Sequence, residues 1–170
     1  MSKPRISYVD PSTITDPAMI AEFERCAREG TPRPESQAIR AHVPATFWSF
    51  ANTWRDVFKN GVVDHKIKEL CRIYVSRSVL CEFCGNQRSI KAAKSGLKED
   101  DYSDLINFES STRYDERQKA ALAYAEAITW DLLPATSCGT ACISTSASRN
   151  WSRSAISSPS RWVNSAGSAH

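Results

Sequence analysis

DHKIKELCRIYVSRSVLCEFCGNQRSIKAAKSG, residues 64–96, is the stretch whose reading decides the fold. Asp64 is a good N-cap, and behind it Ile67, Leu70, Cys71, Tyr74 and Val75 recur at the spacing of one helix face. A second helix is predicted to start near Cys81 and to stop at Gly96, a residue type common just past a helix end. Cys81-Glu82-Phe83-Cys84 opens it. Two cysteines three apart at a helix start bring their sulfurs within bonding reach, and the helix N-terminus favours a thiolate. Glu69, on the preceding helix, is placed to return to the same site as a proton acceptor. Leu70, Ile73 and Tyr74 flank it, so it sits at the edge of the apolar stripe, where partial burial raises a carboxylate's pKa. His65 lies four residues earlier on the same face, within reach of Glu69.

Outward from this stretch the chain reads as helices, without a convincing period-two strand. Asp16 and Pro17 open a first helix through Ile20 and Phe23 that Gly30 closes. Thr31-Pro32-Arg33-Pro34 reads as a loop. A helix from about Pro44 carries Phe47, Phe50, Trp54 and Phe58 to Gly61, its aromatics most simply core. Glu99 to Ile106 is a short helix, and Asp115 caps a last one bearing Ala120, Leu122, Ala123, Ala127 and Ile128. The predicted class is all-α.

Composition sets the outer limits. A chain of 170 residues suits one domain, able to bury roughly 70% of its unfolded surface. Hydrophobic content of 41% and charged content of 24% describe an ordinary globular protein. A net charge of +3, scattered along the chain, argues against nucleic acid as a partner. Met1-Ser2-Lys3-Pro4-Arg5 has no apolar run behind it to make a signal peptide. No stretch approaches the roughly 18 apolar residues of a membrane helix. The expected location is therefore the cytoplasm, where a Cys-x-x-Cys serves redox or metal chemistry more often than a structural disulfide.

The arrangement resembles the alkylhydroperoxidase D-like, carboxymuconolactone decarboxylase family, from about Ile6 to Leu133. It is strongest over 64–96 and again from Tyr114 to Trp130. The family pattern is a Glu, then Cys-x-x-Cys, then a His four residues later. Glu69, Cys81 and Cys84 match it; Arg88 stands where the His belongs, and Phe83 supplies no imidazole between the cysteines. The resemblance implies a helical fold that packs into homo-oligomers, commonly trimers or multiples of them. It implies a thiol-dependent peroxide reductase with no cofactor, whose substrate is a peroxide or small organic molecule and whose dithiol is re-reduced by an external dithiol. It makes Cys84 the attacking sulfur and Cys81 the resolving one, whereas helix electrostatics alone favour Cys81 as the more acidic thiol. A lactone decarboxylase-type lyase on the same fold is the alternative, with Arg88 and His65 holding a carboxylate and moving a proton. A non-enzymatic helical oligomer is the third.

Each site residue has a plainer reading. Cys81 and Cys84 are otherwise two packed thiols, as Cys26 and Cys71 most simply are. Zinc requires four ligands, and Cys26, Cys71 and the few histidines make a poor set, so no metal is expected. Glu69 is otherwise a solvated carboxylate, paired at most with His65. Arg88 stays protonated and cannot shuttle a proton, but a guanidinium stabilises a thiolate or binds an anion.

The chain changes character at about Pro134. Residues 135–170 contain three Arg and eleven Ser but no Lys, Asp, Glu or Leu. Disordered tails usually carry charge or Pro and few aromatics, yet this one holds Trp151, Trp162, Cys138 and Cys142. Permitted codons for Ala135–Cys142, read in another frame, spell DELWDRL, which opens a helix-like continuation similar to the family's. We therefore divide the chain into a helical domain, 1–134, and a Ser-rich tail, 135–170, that is non-native or disordered.

Overall fold

Asp16 accepts the Ala18 amide at 2.8 Å, Pro17 takes the first helical position, and Gly30 closes α1 (Pro17–Glu29) in the left-handed region at φ 72°. The computed structural model describes residues 5–132, and every regular element among them is helical. The readings placed on 135–170, with Cys138, Cys142 and the shifted frame, lie outside the described residues, as does the Pro134 boundary. The fold is all-α.

Two further helices separate α1 from the quoted stretch. Pro34 supplies the first position of α2 (Pro34–Arg40), where the sequence reads a loop. Pro44 opens α3 (Pro44–Thr53), which runs on through a π turn at Trp54–Lys59. Asp64 then accepts the Lys66 amide and starts α4 (His65–Ser78). The single helix predicted from Cys81 to Gly96 is two short ones, α5 (Glu82–Gly85) and α6 (Ile90–Lys94). Turns of 3₁₀ helix at Glu99–Tyr102 and Leu105–Asn107 occupy the predicted short helix. Asp115 and Gln118 form a reciprocal capping box at the start of α7 (Glu116–Thr129).

α4 is the central helix, packed against α5, α6 and α7. Its Leu70, Ile73 and Tyr74 join Ala92, Leu97, Tyr102, Leu105, Phe108, Tyr114 and Leu122 in one apolar cluster. A second cluster, Met19, Phe23, Ala38, Phe47 and Ala51, holds α1, α2 and α3 together. Each large side chain so buried contributes roughly 1.5–3 kcal/mol. Phe47 is fully buried, while Trp48, Phe50 and Trp54 are only partly so. No helix among the described residues is long and apolar enough to cross a membrane.

The loop after α1 is joined to the loop after α5. The Arg33 amide donates to Gln87 Oε1 at 3.2 Å, and the Trp54 indole donates to the Thr31 carbonyl at 3.2 Å. A Cβ on Gly30 would lie 2.7 Å from the Arg88 carbonyl oxygen. Gly30→Ala therefore combines a strained positive φ with a backbone collision, and a loss of more than about 1 kcal/mol is expected. An unchanged urea midpoint would contradict this close approach.

Candidate active site

The turn that carries the cysteines is built by the end of α4. Leu80 adopts φ 56°, a conformation that costs a non-glycine residue about 1–2 kcal/mol. It swings the chain round so that the Cys81 amide donates back to the Ser76 carbonyl at 2.8 Å. Cys81 then serves as N-cap of α5, its Sγ accepting the Cys84 amide at 3.4 Å. Both cysteines are half-buried, and neither is joined in a disulfide. Burial pushes the Cys84 thiol above its ordinary range, and the neighbouring Cys81 sulfur pushes it further; Arg72 and Arg40 pull the other way. Burial also lifts Cys26, to about 12, so that thiol is inert at neutral pH.

Arg72 is the residue that sequence reading missed. It stands one turn after Glu69, and its Nε and Nη2 donate to Glu69 Oε2 at 2.9 Å and Oε1 at 2.8 Å. The same guanidinium donates from Nη1 to the Cys84 carbonyl at 2.9 Å and from Nη2 to the Gln87 carbonyl at 2.8 Å. It thus pins the cysteine turn to α4. The i,i+3 spacing of Glu69 and Arg72 was the available signal.

Glu69 lies deeper than the stripe edge expected of it, with no exposed surface at all. Besides Arg72 it accepts the buried Ser89 amide at 2.9 Å. Neither cysteine sulfur is among its hydrogen-bond partners. His65 reaches Glu69 only through Ser89: its Nε2 lies 2.8 Å from Ser89 Oγ, and its Nδ1 lies 3.3 Å from the Phe58 carbonyl. A carbonyl only accepts, so Nδ1 carries the proton of the neutral ring and Nε2 accepts the Ser89 hydroxyl. Burial, reinforced by Lys91, holds the imidazole below its ordinary pKa and keeps it neutral.

Arg88 is fully engaged away from the sulfurs. Its Nε and Nη2 pair with Glu99 at 2.8 and 2.6 Å, Nη1 donates to the Gly85 and Gln87 carbonyls, and the guanidinium covers the Tyr102 ring at 4.5 Å. The cations that act on Cys84 are Arg72 and Arg40. The structure thus brings Cys81, Cys84, Glu69 and Arg72 together, and sets His65 and Arg88 at the margin.

The electrostatics make one test of the pair direct. Because the Cys81 sulfur raises Cys84, Cys81→Ser should move the midpoint of Cys84 alkylation to lower pH. Mass-resolved alkylation across a pH series measures it, and an upward shift would break the assigned coupling.

Residues 44–127 match the carboxymuconolactone decarboxylase family. Two curated relatives are uncharacterized proteins of Mycobacterium tuberculosis, one from strain CDC 1551 / Oshkosh and one from strain ATCC 25618 / H37Rv. Each is 34% identical over 74 residues, covering 44% of this chain and 26% of the relative. The chain spans about a quarter of the length of these relatives. No solved structure matches it.

Proposed function

The chain belongs, through residues 44–127, to the carboxymuconolactone decarboxylase family, and from that premise we propose that it is a thiol-dependent peroxide reductase working through Cys81 and Cys84. The observation that carries this reading is the cysteine turn itself. Two half-buried thiols share one helical turn, the amide of one donates to the sulfur of the other, and Arg72 clamps the backbone beneath them.

In the reaction a thiolate attacks one peroxide oxygen and the O–O bond breaks. The leaving alkoxide takes a proton, giving an alcohol, and the sulfur becomes a sulfenic acid. The second thiol then attacks that sulfur and expels water, forming the Cys81–Cys84 disulfide. An external dithiol returns both sulfurs to the reduced state by exchange. The Cys84 amide donates to the Cys81 sulfur, whereas the family resemblance assigns the attack to Cys84. Glu69 acts here as a positioning residue that fixes Arg72, in place of the direct proton acceptor expected from sequence. The lyase alternative draws on Arg88 and His65, and those two side chains are engaged with Glu99 and Ser89.

Oxidation with one equivalent of peroxide tests the proposal. Peptide mass spectrometry should find Cys81 linked to Cys84, and dithiol-dependent peroxide consumption should vanish in Cys81→Ser and Cys84→Ser. A dominant link to Cys26 or Cys71 would sink it, and turnover that survives both replacements would favour the lyase.

A further inference from the structure

A cavity of about 200 Å³ lies between the N-terminal half of α4, the Gly96–Asp101 segment and the approach to α7. It belongs to no part of the cysteine mechanism, since Cys81, Cys84, Glu69 and Arg72 are not among its lining residues. Leu70 and Leu97, both buried in the larger apolar cluster, give it an apolar floor. The wall around that floor is braced by its own hydrogen bonds. Tyr114 Oη donates to the Asp101 carbonyl at 2.7 Å, and Asp101 Oδ2 accepts the Lys98 amide at 2.7 Å. Gln118 Oε1 accepts the Asp115 amide at 3.0 Å.

These bonds leave the lining rich in unspent donors. Lys66 is partly buried, and its ammonium has no hydrogen bond and no carboxylate partner among the described residues. That ammonium stands 3.5 Å from the point a Cβ on Gly96 would occupy, and Gly96 lines the same cavity. Arg113 gives Nε to Asp104 at 3.2 Å, while neither of its Nη groups is hydrogen-bonded among the described residues. Gln118 Nε2 is unspent in the same way. Asp104 offsets the charge of Arg113, but Lys66 has no such neighbour. The acceptor left over is Asp101 Oδ1, which a hydroxyl answers and a second anion does not.

We propose that this cavity binds a small hydroxylated oxyanion, a phosphate or carboxylate on a short carbon chain that bears a hydroxyl. The charged oxygens take the Lys66 ammonium and the Arg113 Nη donors, the hydroxyl donates to Asp101, and the chain lies on Leu70 and Leu97. The volume suits a molecule of about ten non-hydrogen atoms or fewer.

Isothermal titration of the full chain tests this, with glycerol 3-phosphate and glycerate as ligands and glycerol as the uncharged control. At least one of the two anions should saturate the protein at or below about 10 mM, and glycerol should not. Saturation by one alone identifies phosphate or carboxylate as the recognised group. Propyl phosphate and propionate keep the anion and lose the hydroxyls, so each should bind more weakly than its parent. Lys66→Gln should weaken binding about tenfold, the loss of one charge-assisted hydrogen bond, and Lys66→Arg should retain it. Should Lys66→Gln not fold, Arg113→Gln carries the same expectation. Binding of neither anion, equal binding of glycerol, analogues as tight as their parents, or full affinity without the cation would overturn the proposal.

Discussion

Glu69→Gln is expected to lower the unfolding free energy by about 3 kcal/mol and to cut peroxide turnover roughly 10²-fold. Glu69 is wholly buried, and Arg72 beside it keeps only 12% of its side chain exposed. An amide in place of the carboxylate has one accepting oxygen where two are used. Its NH₂ must face the guanidinium in either orientation, and the Ser89 amide as well when it takes the place of Oε1; both are donors. Removing one partner of a buried ion pair leaves the other charge uncompensated, which is the costly case. Turnover suffers separately, because Arg72 then holds the Cys84 and Gln87 carbonyls without its own anchor. Urea unfolding of Glu69→Gln, Arg72→Met and the double variant measures the coupling. The double variant should be more stable than the sum of the two losses predicts. A neutral Glu69→Gln would remove the pair from any account of the fold.

Leu122→Ala should cost roughly 2–5 kcal/mol. It is the one buried residue of α7, with no exposed surface, and it meets α4 within the larger apolar cluster. A hydrogen bond, Tyr74 Oη to Glu126 Oε1 at 2.6 Å, also joins these helices, and Ala123 and Ala125 pack against the same cluster. Truncating the leucine leaves a cavity in that cluster. Denaturant midpoints test this, and a loss below about 1 kcal/mol would mean that α7 repacks freely. Cysteine chemistry should persist in the folded fraction, since α7 contributes no group to the cysteine turn.

How far the sequence was legible follows from where each signal sits along the chain. α1, α4 and α7 announce themselves through Asp16, Asp64 and Asp115, whose carboxylates accept amides two or three residues on. Such caps are local, so local reading finds them. The break between α5 and α6 is not local. No Gly or Pro lies between Asn86 and Ser89, but side chains take the carbonyls that a continuous helix needs. Arg72 takes those of Cys84 and Gln87, and Arg88 takes that of Gly85. Ser89 then caps a fresh helix by accepting the Ala92 amide. The depth of Glu69 was hidden in the same way, since the amide that completes its shell comes from twenty residues downstream. α2 was missed because Pro34, a first-turn residue, was grouped with the preceding Thr-Pro-Arg. The expected apolar face of α7 was too generous: Ile128, assigned to it, is 65% exposed.

The seam between the loop after α1 and the loop after α5 bears on the order in which the molecule assembles. Arg33 and Gln87 meet across 54 positions of chain, whereas the caps of α4 and the turn at Cys81 close over a few. Loop-closure entropy weights such distant encounters against early formation. Local helices and the α4–cysteine hairpin are therefore expected first, with the α1–α3 half settling on them afterwards. Until it does, the seam between Arg33 and Gln87 stays open, so a chain still folding presents its cysteine turn without the loop that later closes beside it.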